Sequence, residues 1–567
     1  MSTLAKFNFK PGLHRESTQY EEEGNWYDGD RVRFRAGKPE NMRGYETKVS
    51  TTFIGSARDL ITYQSGEYNT KRAVFGTPDR LYEYDSDRIV DITPITTAVT
   101  LANVFGTSSG STRVCCSDAA HGRVVGDYVY FTSSAAFNNV SLQGNTYQIV
   151  SVDSAAVFTI SVTDAANATA SDTGSATFNY LIPTGNSIAV GGTGYGAALY
   201  QATVCASDTR AWNQAASADA TDIVFDITQW SLDNWGDDVV ANRNGSNIYY
   251  FDSDASTVPI RATSITTSPI SVNSIVVSPN DRHLIALGAN EYSPTATVSG
   301  TFNPMLVRWS DQDDRTNWVP SVSSTSGEVV LTDGTRIVGG VRSRTAINIW
   351  TDNALWLMQF AGPPFTFKFT QAGTNCGMIA PHAAVDYNGI TYWMGYDNFY
   401  KYDGSVRTLD CTVKKYIFDR LNIKYKDKVF TGINSEFKEI IWLYASDESG
   451  VTDCDSYVIF SPENNYWTYG TGIFTTYADQ QVFGNTITTG VSSNESRLYN
   501  NEPPDYFTAN NNTITSFIES ADFDIKDGNQ ILYMNRLIPD FDLSTGKLKV
   551  KIITKKYPES SEKTTKE

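Results

Sequence analysis

The sequence predicts an all-β protein, a β-propeller protomer carrying a small inserted β-barrel or sandwich domain. Three observations predict it. The 567 residues hold 32 Tyr, 28 Phe and 11 Trp, and short polar–apolar alternations recur, as strands with one buried face require. Helical periodicity is confined to residues 412–421, where Val413, Tyr416, Ile417 and Leu421 fall three to four apart. A degenerate unit also repeats, in which a hydrophobic-aromatic cluster runs into a turn.

Copies of this unit are Leu81, Tyr82, Glu83, Tyr84; Ile248, Tyr249, Tyr250, Phe251; Met305 to Trp309; Leu355, Trp356, Leu357, Met358; Phe399, Tyr400, Lys401, Tyr402; and Leu498, Tyr499. Units of a few short strands spaced roughly 40 to 60 residues apart describe propeller blades, which bury their faces only against one another. Small residues ahead of some copies, such as Gly339 and Gly340, fit a tightly packed strand. Residues 1–97 are read as N-terminal strands and a first blade, and 223–520 as the remaining blades.

Residues 98–182 break this rhythm. Seven of them are charged (Arg113, Asp118, Arg123, Asp127, Asp153, Asp164, Asp172), the rest being rich in Ala, Ser, Thr, Gly and Val. Short strands between Gly, Asn and Asp turns predict an autonomous β domain inserted in a blade loop. Residues 183–222 read as the return linker. Residues 521–567 read as C-terminal strands and a tail that composition predicts to be disordered beyond Tyr557.

Charge and motifs exclude several functions. With 45 Lys+Arg against 63 Asp+Glu the net charge is −18, which repels phosphate. Six Cys do not make a disulfide framework, and no apolar run is long enough to span a bilayer. Lys6 and Lys10 interrupt what would be a signal core, so no cleaved secretion signal is expected. The four His (His14, His121, His283, His382) show no metal spacing. No cofactor is expected, and no catalytic constellation is visible. Cys115 and Cys116 read as small residues on opposite faces of one strand.

Two rows of cations stand out. Arg31, Arg33 and Arg35 alternate with Val32 and Phe34, so three guanidinium groups on one strand face would grip acidic side chains or phosphate, or simply face solvent. Lys547, Lys549 and Lys551 repeat the arrangement and suit a guarded edge strand.

The first stretch also carries a resemblance. Phe9, Lys10, Pro11, Gly12, Leu13, His14, Arg15 and Glu16, followed by residues 24–40 with Gly24, Asn25, Trp26, Tyr27, Asp28, Gly29 and Asp30 ahead of the arginine row, resemble the opening of tail proteins of short-tailed phages (podoviruses), the tail-nozzle or packaged-DNA-stabilisation family. Residues 307–312, 371–377 and 522–528 with Ile538, Pro539 and Asp540 agree with it, in order along the chain. The resemblance implies a structural virion protein without enzymatic activity, a propeller protomer forming a homohexameric ring below the head-to-tail adaptor. It implies contact with tail fibre proteins, a conduit through which phage DNA passes without specific binding, and no stable membrane association. The location implied is the virion tail, assembled in the host cytoplasm. Arg31, Arg33 and Arg35 become candidate adaptor contacts.

Two other readings remain. One is a host-receptor or glycan-binding tail protein, with Tyr128, Tyr130, Phe131 and Tyr147 of the insertion stacking on sugars or serving as core. The other is a propeller glycosidase. Residues 309–318 resemble the Asp-box turn of sialidase-like propellers, although Gln312 stands where the Asp should be and Asp314 replaces the Gly. An Asx-capped turn with Trp309 and Trp318 as core explains the same residues.

Overall fold

The computed structural model describes residues 6–66, 70–119, 121–182, 227–254, 261–279, 281–294, 300–362, 365–510 and 512–524, with residues 536, 538, 548–555 and 563–566 near the C-terminus. The expected return linker, 183–222, lies outside them. Among the described residues the sheets are six of four strands and one of six strands, besides smaller sheets and a closed barrel. The innermost strands of the seven are Asp59–Gln64, Trp230–Trp235, Val272–Val277, Ile337–Arg342, Ala384–Tyr387, Phe430–Asn434 and Phe474–Ala478. Each touches the next, and the last returns to the first, so the sheets are blades 1 to 7 of a closed propeller.

The aromatic clusters are the third strands of blades 1 to 5 and 7: Leu81–Asp85, Ile248–Phe251, Phe302–Trp309, Ala354–Gly362, Phe399–Tyr402 and Glu495–Asn501. A third strand is covered on both faces by neighbouring blades, which is why it is apolar on both. Blade 6 has its own copy, Ser456–Ser461, with Tyr457, Val458, Ile459 and Phe460 buried. Blade contacts are close. At Gly76 in blade 1 a Cβ would lie 2.2 Å from Cγ of Trp230 in blade 2, and at Gly340 in blade 4 it would lie 2.8 Å from Cδ1 of Leu287 in blade 3. Only glycine lets these strands approach.

The ring closes with a strand from the start of the chain. Tyr45–Thr47 pairs antiparallel with Glu495–Asn501, so the last blade takes its fourth strand from the segment assigned to the N-terminal strands. Ahead of it an arm wraps blade 6. Lys10–Leu13, Asn25–Asp30 and Phe517–Ser520 form a three-stranded sheet, and Val32–Arg35 forms a hairpin with Lys38–Asn41. All but the last touch Tyr466–Thr471, the outermost strand of blade 6, or its covering sheet. The helix is Lys414–Arg420, inside the expected 412–421, with Ile417 buried and a 3-10 turn following at Ile423–Lys428.

The insertion is a closed six-stranded barrel, Val99–Tyr180, rather than a sandwich. Its core holds Phe105, Phe131, Phe158, Phe178 and Cys116. Cys115 is buried on the opposite face of its strand, beside Thr159, but it is disulfide-bonded and not merely the small strand residue the sequence suggested, whereas Cys116 is free. The barrel's ends lie together: Ile182 N–H donates to the Pro94 carbonyl at 3.0 Å and Thr96 N–H to Tyr180 at 2.8 Å. A short Gly-Ser link replacing residues 97–180 should therefore leave the propeller intact. Melting of that variant by near-ultraviolet circular dichroism should stay cooperative; a molten spectrum would show the barrel to be part of the propeller's own fold.

Near the C-terminus, Ile552–Thr554 pairs antiparallel with Lys563–Lys566, where composition predicted disorder. The β-branched residues Ile552, Ile553, Thr564 and Thr565 supply the strand preference. The strand starts at Ile552, so Lys549 and Lys551 precede it rather than alternate along it, and Lys547 lies outside the described residues.

Candidate functional site

The arginine row is not a solvated strand face. Arg31 has φ of +56°, outside the strand, and turns the chain between Asn25–Asp30 and Val32–Arg35. Val32, Arg33 and Phe34 are all buried, because the hairpin lies between the arm and blades 6 and 7. Arg35 is 70% exposed and only 4.0 Å from Glu40. Arg33 is 2% exposed, so it is not available to an adaptor.

Arg33 instead ties three parts of the chain together. Its Nη2 donates to Glu439 Oε2 at 3.0 Å and to Glu502 Oε2 at 2.8 Å, and its guanidinium lies 3.5 Å from the centre of the Phe437 ring. Glu439 belongs to blade 6, on Glu439–Tyr444, and Glu502 follows the third strand of blade 7. Asn434 Nδ2 donates to Glu502 at 2.8 Å, and the Tyr466 hydroxyl donates to Glu439 at 3.4 Å. Burial works against charge on Arg33, but the two carboxylates outweigh it and hold the guanidinium protonated. Burial pushes Glu439 up to about 7, against the pull of Arg33 and with Glu502 adding repulsion.

The sign of the resulting pH effect follows. A carboxyl whose folded pKa lies above its unfolded value near 4.5 binds a proton better when folded. Its contribution is full below that unfolded value and is lost as pH rises towards 7. The melting temperature of the wild type should fall between pH 5 and pH 7.5 relative to Glu439→Gln. Parallel melting curves for the two proteins across that window would refute the assignment.

A second polar cluster closes the propeller axis at the end where the inner strands begin. His382 Nε2, ahead of blade 5, donates to the Trp230 carbonyl of blade 2 at 2.7 Å, and its Nδ1 lies 4.0 Å from Asp59 of blade 1. Gln229 Nε2 donates to the Asp427 carbonyl at 2.5 Å. Arg58, ahead of blade 1, makes two parallel bonds to Asp453 of blade 6, at 2.6 and 2.9 Å. Burial would raise Asp453, but Arg58 outweighs it and holds the carboxyl well below its usual range. Lys428 is lowered to about 8 by burial, with the Arg58 charge adding to it. These bonds join blades that are not neighbours, so a double helix cannot pass along the axis of one propeller.

The remaining candidates are structural. Asp311 accepts from the Thr325 amide and hydroxyl at 2.8 and 2.6 Å, from the Gln312 amide at 3.0 Å and from Asn317 Nδ2 at 3.0 Å. These bonds outweigh burial and lower its pKa. Trp309 and Trp318 are buried beside it, as an Asx-capped turn requires. In the barrel Phe131 is core, and Tyr147 meets its edge. Tyr128 and Tyr130 face the propeller, under Arg80 at 4.9 Å and Arg261 at 5.1 Å, where both arginines also pair with Asp91 at 3.2 Å. Of the four aromatic residues Phe131 is buried, and Tyr128, Tyr130 and Tyr147 are half-buried.

A cavity of about 450 Å³ opens between the arm and blade 5, lined by His14, Glu16, Glu22, Asp410 and Lys414 among others. Burial lowers the His14 pKa, and Lys414 is bonded to Asn398. Among the described residues no group of three or more His, Cys, Asp or Glu side chains has the geometry to hold a metal ion. No helix there is long and apolar enough to cross a membrane. Glu439 and Glu502 lie 406 and 469 residues from Arg33, so no local pattern announced them.

No protein-family model matches the chain, and no curated protein matches it. Solved structures similar to it include the endosialidase of phage phi92, at 11% identity over 100% of this chain and 80% of that one, with a TM-score of 0.18. A fungal alcohol oxidase of the AA5 family, in complex with copper, matches at 11% identity over 72% and 76% of the two chains, with a TM-score of 0.33. Hsv2 of Kluyveromyces lactis matches at 10% identity over 53% and 74%, with a TM-score of 0.27. Likenesses this distant say nothing about activity; the chain itself is an all-β propeller protein with an inserted barrel.

Proposed function

We propose that the protein is a structural component of a short phage tail, a nozzle protomer that assembles into a ring below a head-to-tail adaptor. The observation that carries this reading is the convergence of its two most distant resembling segments. Phe9 packs on Trp26 at 4.6 Å and on Phe523 at 6.3 Å between ring centres. The Tyr20 hydroxyl donates to Asp524 at 2.7 Å, and Asn25–Asp30 pairs with Phe517–Ser520. Segments that resemble one family in sequence, and lie some 500 residues apart, thus form one module on the outside of blade 6. The part of the C-terminal segment from 525 to 528 lies outside the described residues.

The closed axis refines the reading. DNA leaving through such a nozzle runs along the common axis of several copies, not through any single propeller. A net charge of −18 per copy favours sliding over gripping, since each phosphate contact by Lys or Arg would add affinity. Retention of the genome would then fall to the ring's closure and not to base or backbone contacts.

Mass photometry of the purified protein, alone and with its adaptor ring, tests this. Sixfold stoichiometry in either sample is the expected result. A monomer that ignores the adaptor removes the nozzle reading and leaves the glycan-binding one, to be tested on a glycan array. The variant lacking residues 97–180 should form the same ring, whereas a receptor reader would lose host adsorption.

A further inference from the structure

The outermost strands of the blades are mostly protected in ordinary ways. Arg88–Asp91, Thr263–Ser264, Gly327–Val330 and Val406–Thr408 are two to four residues long. Tyr466–Thr471 is covered by the arm, and the last blade is extended by Tyr45–Thr47. Short or covered edges are how sheet proteins avoid pairing with other chains.

Blade 4 lacks both protections. Its outermost strand, Thr366–Thr374, has nine residues, no proline and, among the described residues, a backbone partner on one side only. Residues 354–374 hold one charged side chain, Lys368, in a chain that is 19% charged. Ala354–Gly362 pairs with Ile347–Thr351 only as far as Met358, so beyond it Gln359 to Gly362 and Thr366 to Lys368 stand as a two-stranded ribbon. Phe360 and Phe365 are 46% and 77% exposed on that ribbon. The ribbon is nevertheless fixed, because Phe367 is buried against Trp309 at 5.3 Å and His283 at 5.0 Å. A rigid, open edge flanked by exposed aromatic rings is already arranged for strand addition.

We propose that this edge is the contact between protomers: a second copy of the chain pairs by its backbone with Thr366–Thr374 and receives Phe360 and Phe365. Charge selects the place. Two copies at −18 repel overall, and this near-neutral strip with its single lysine lowers the cost of approach. The contact is heterologous, as a ring requires, since the edge meets a different surface of its neighbour. The inference rests on the ring reading above.

The test compares wild type with Phe360→Glu/Phe365→Glu and with the milder Phe365→Ser by mass photometry, with and without the adaptor ring. Circular dichroism melting must show both variants folded. The expected result is an oligomeric wild type, a double variant that stays monomeric at the same concentration, and a single variant needing at least tenfold more protein to assemble. In the wild-type assembly, amides of Thr366–Thr374 should exchange at least tenfold more slowly than in the double variant. A double variant that assembles like wild type, or edge amides that exchange equally in both, overturns the inference and leaves the ring reading standing. A variant that forms rings but no longer seats on the adaptor makes the adaptor the occupant and also overturns it. A wild type monomeric in both samples fails the ring reading itself, and the proposed contact with it.

Discussion

Arg33→Ala should destabilise the protein by about 3–5 kcal/mol, the usual cost of removing one partner from a buried ion cluster. The loss exceeds the worth of the bonds themselves, because Glu439 and Glu502 remain in a site where water cannot reach them. Adding Glu439→Gln and Glu502→Gln to an Arg33→Met background should recover most of it, since the neutral triple variant strands no charge. The arm should also loosen first. Hydrogen exchange over Lys10–Leu13 and Val32–Arg35 in Arg33→Ala should rise before exchange in blades 2 to 4 does. Uniform exchange across the chain, or stability equal to wild type, would mean the cluster is not what holds the arm to blades 6 and 7.

Trp230→Ala should cost about as much, roughly 3–5 kcal/mol, by a different route. The indole is 1% exposed, fills the space left by Gly76, and donates from Nε1 to the Thr77 carbonyl at 2.7 Å. Truncation empties the seam between blades 1 and 2 and strands that carbonyl. The hydrogen bond from His382 goes to the backbone of Trp230 and survives, so the axis should stay closed. Trp230→Phe, which keeps most of the volume and loses the indole N–H, should cost about 1–2 kcal/mol by the same reasoning. Urea melts of the two variants separate packing from hydrogen bonding; equal losses would show that the Thr77 bond, not the filled volume, carries the seam.

The propeller was legible because its third strands write their burial into local composition. Leu81, Tyr82 and Tyr84, or Leu355 and Trp356, are apolar on both faces since a blade covers each face. The blade 6 copy around Val458 and Phe460 follows the same pattern and fills the long gap between the copies at Phe399–Tyr402 and Glu495–Asn501. Arg33 illustrates a different limit. Alternation of charged and apolar residues is the signature of a strand with one wet face. Here Val32, Arg33 and Phe34 are buried whichever face they occupy, and the charge of Arg33 is matched by carboxylates that arrive with blades 6 and 7. Nothing within a strand's length of sequence distinguishes an arginine facing water from one facing a distant glutamate. The open edge of blade 4 was hidden for the same reason, since edges are defined by which strand fails to arrive.

The strand that closes the last blade has a temporal consequence. Glu46 bonds to Asn500 at 3.1 Å, 454 residues later in the chain. At 5–20 residues per second, a ribosome takes roughly 20–90 s to make the partner after the first strand has emerged. For that interval Tyr45–Thr47 is an unpaired strand on the nascent chain while blades 1 to 6 accumulate beside it, so the circle is sealed only after most of the polypeptide has been translated.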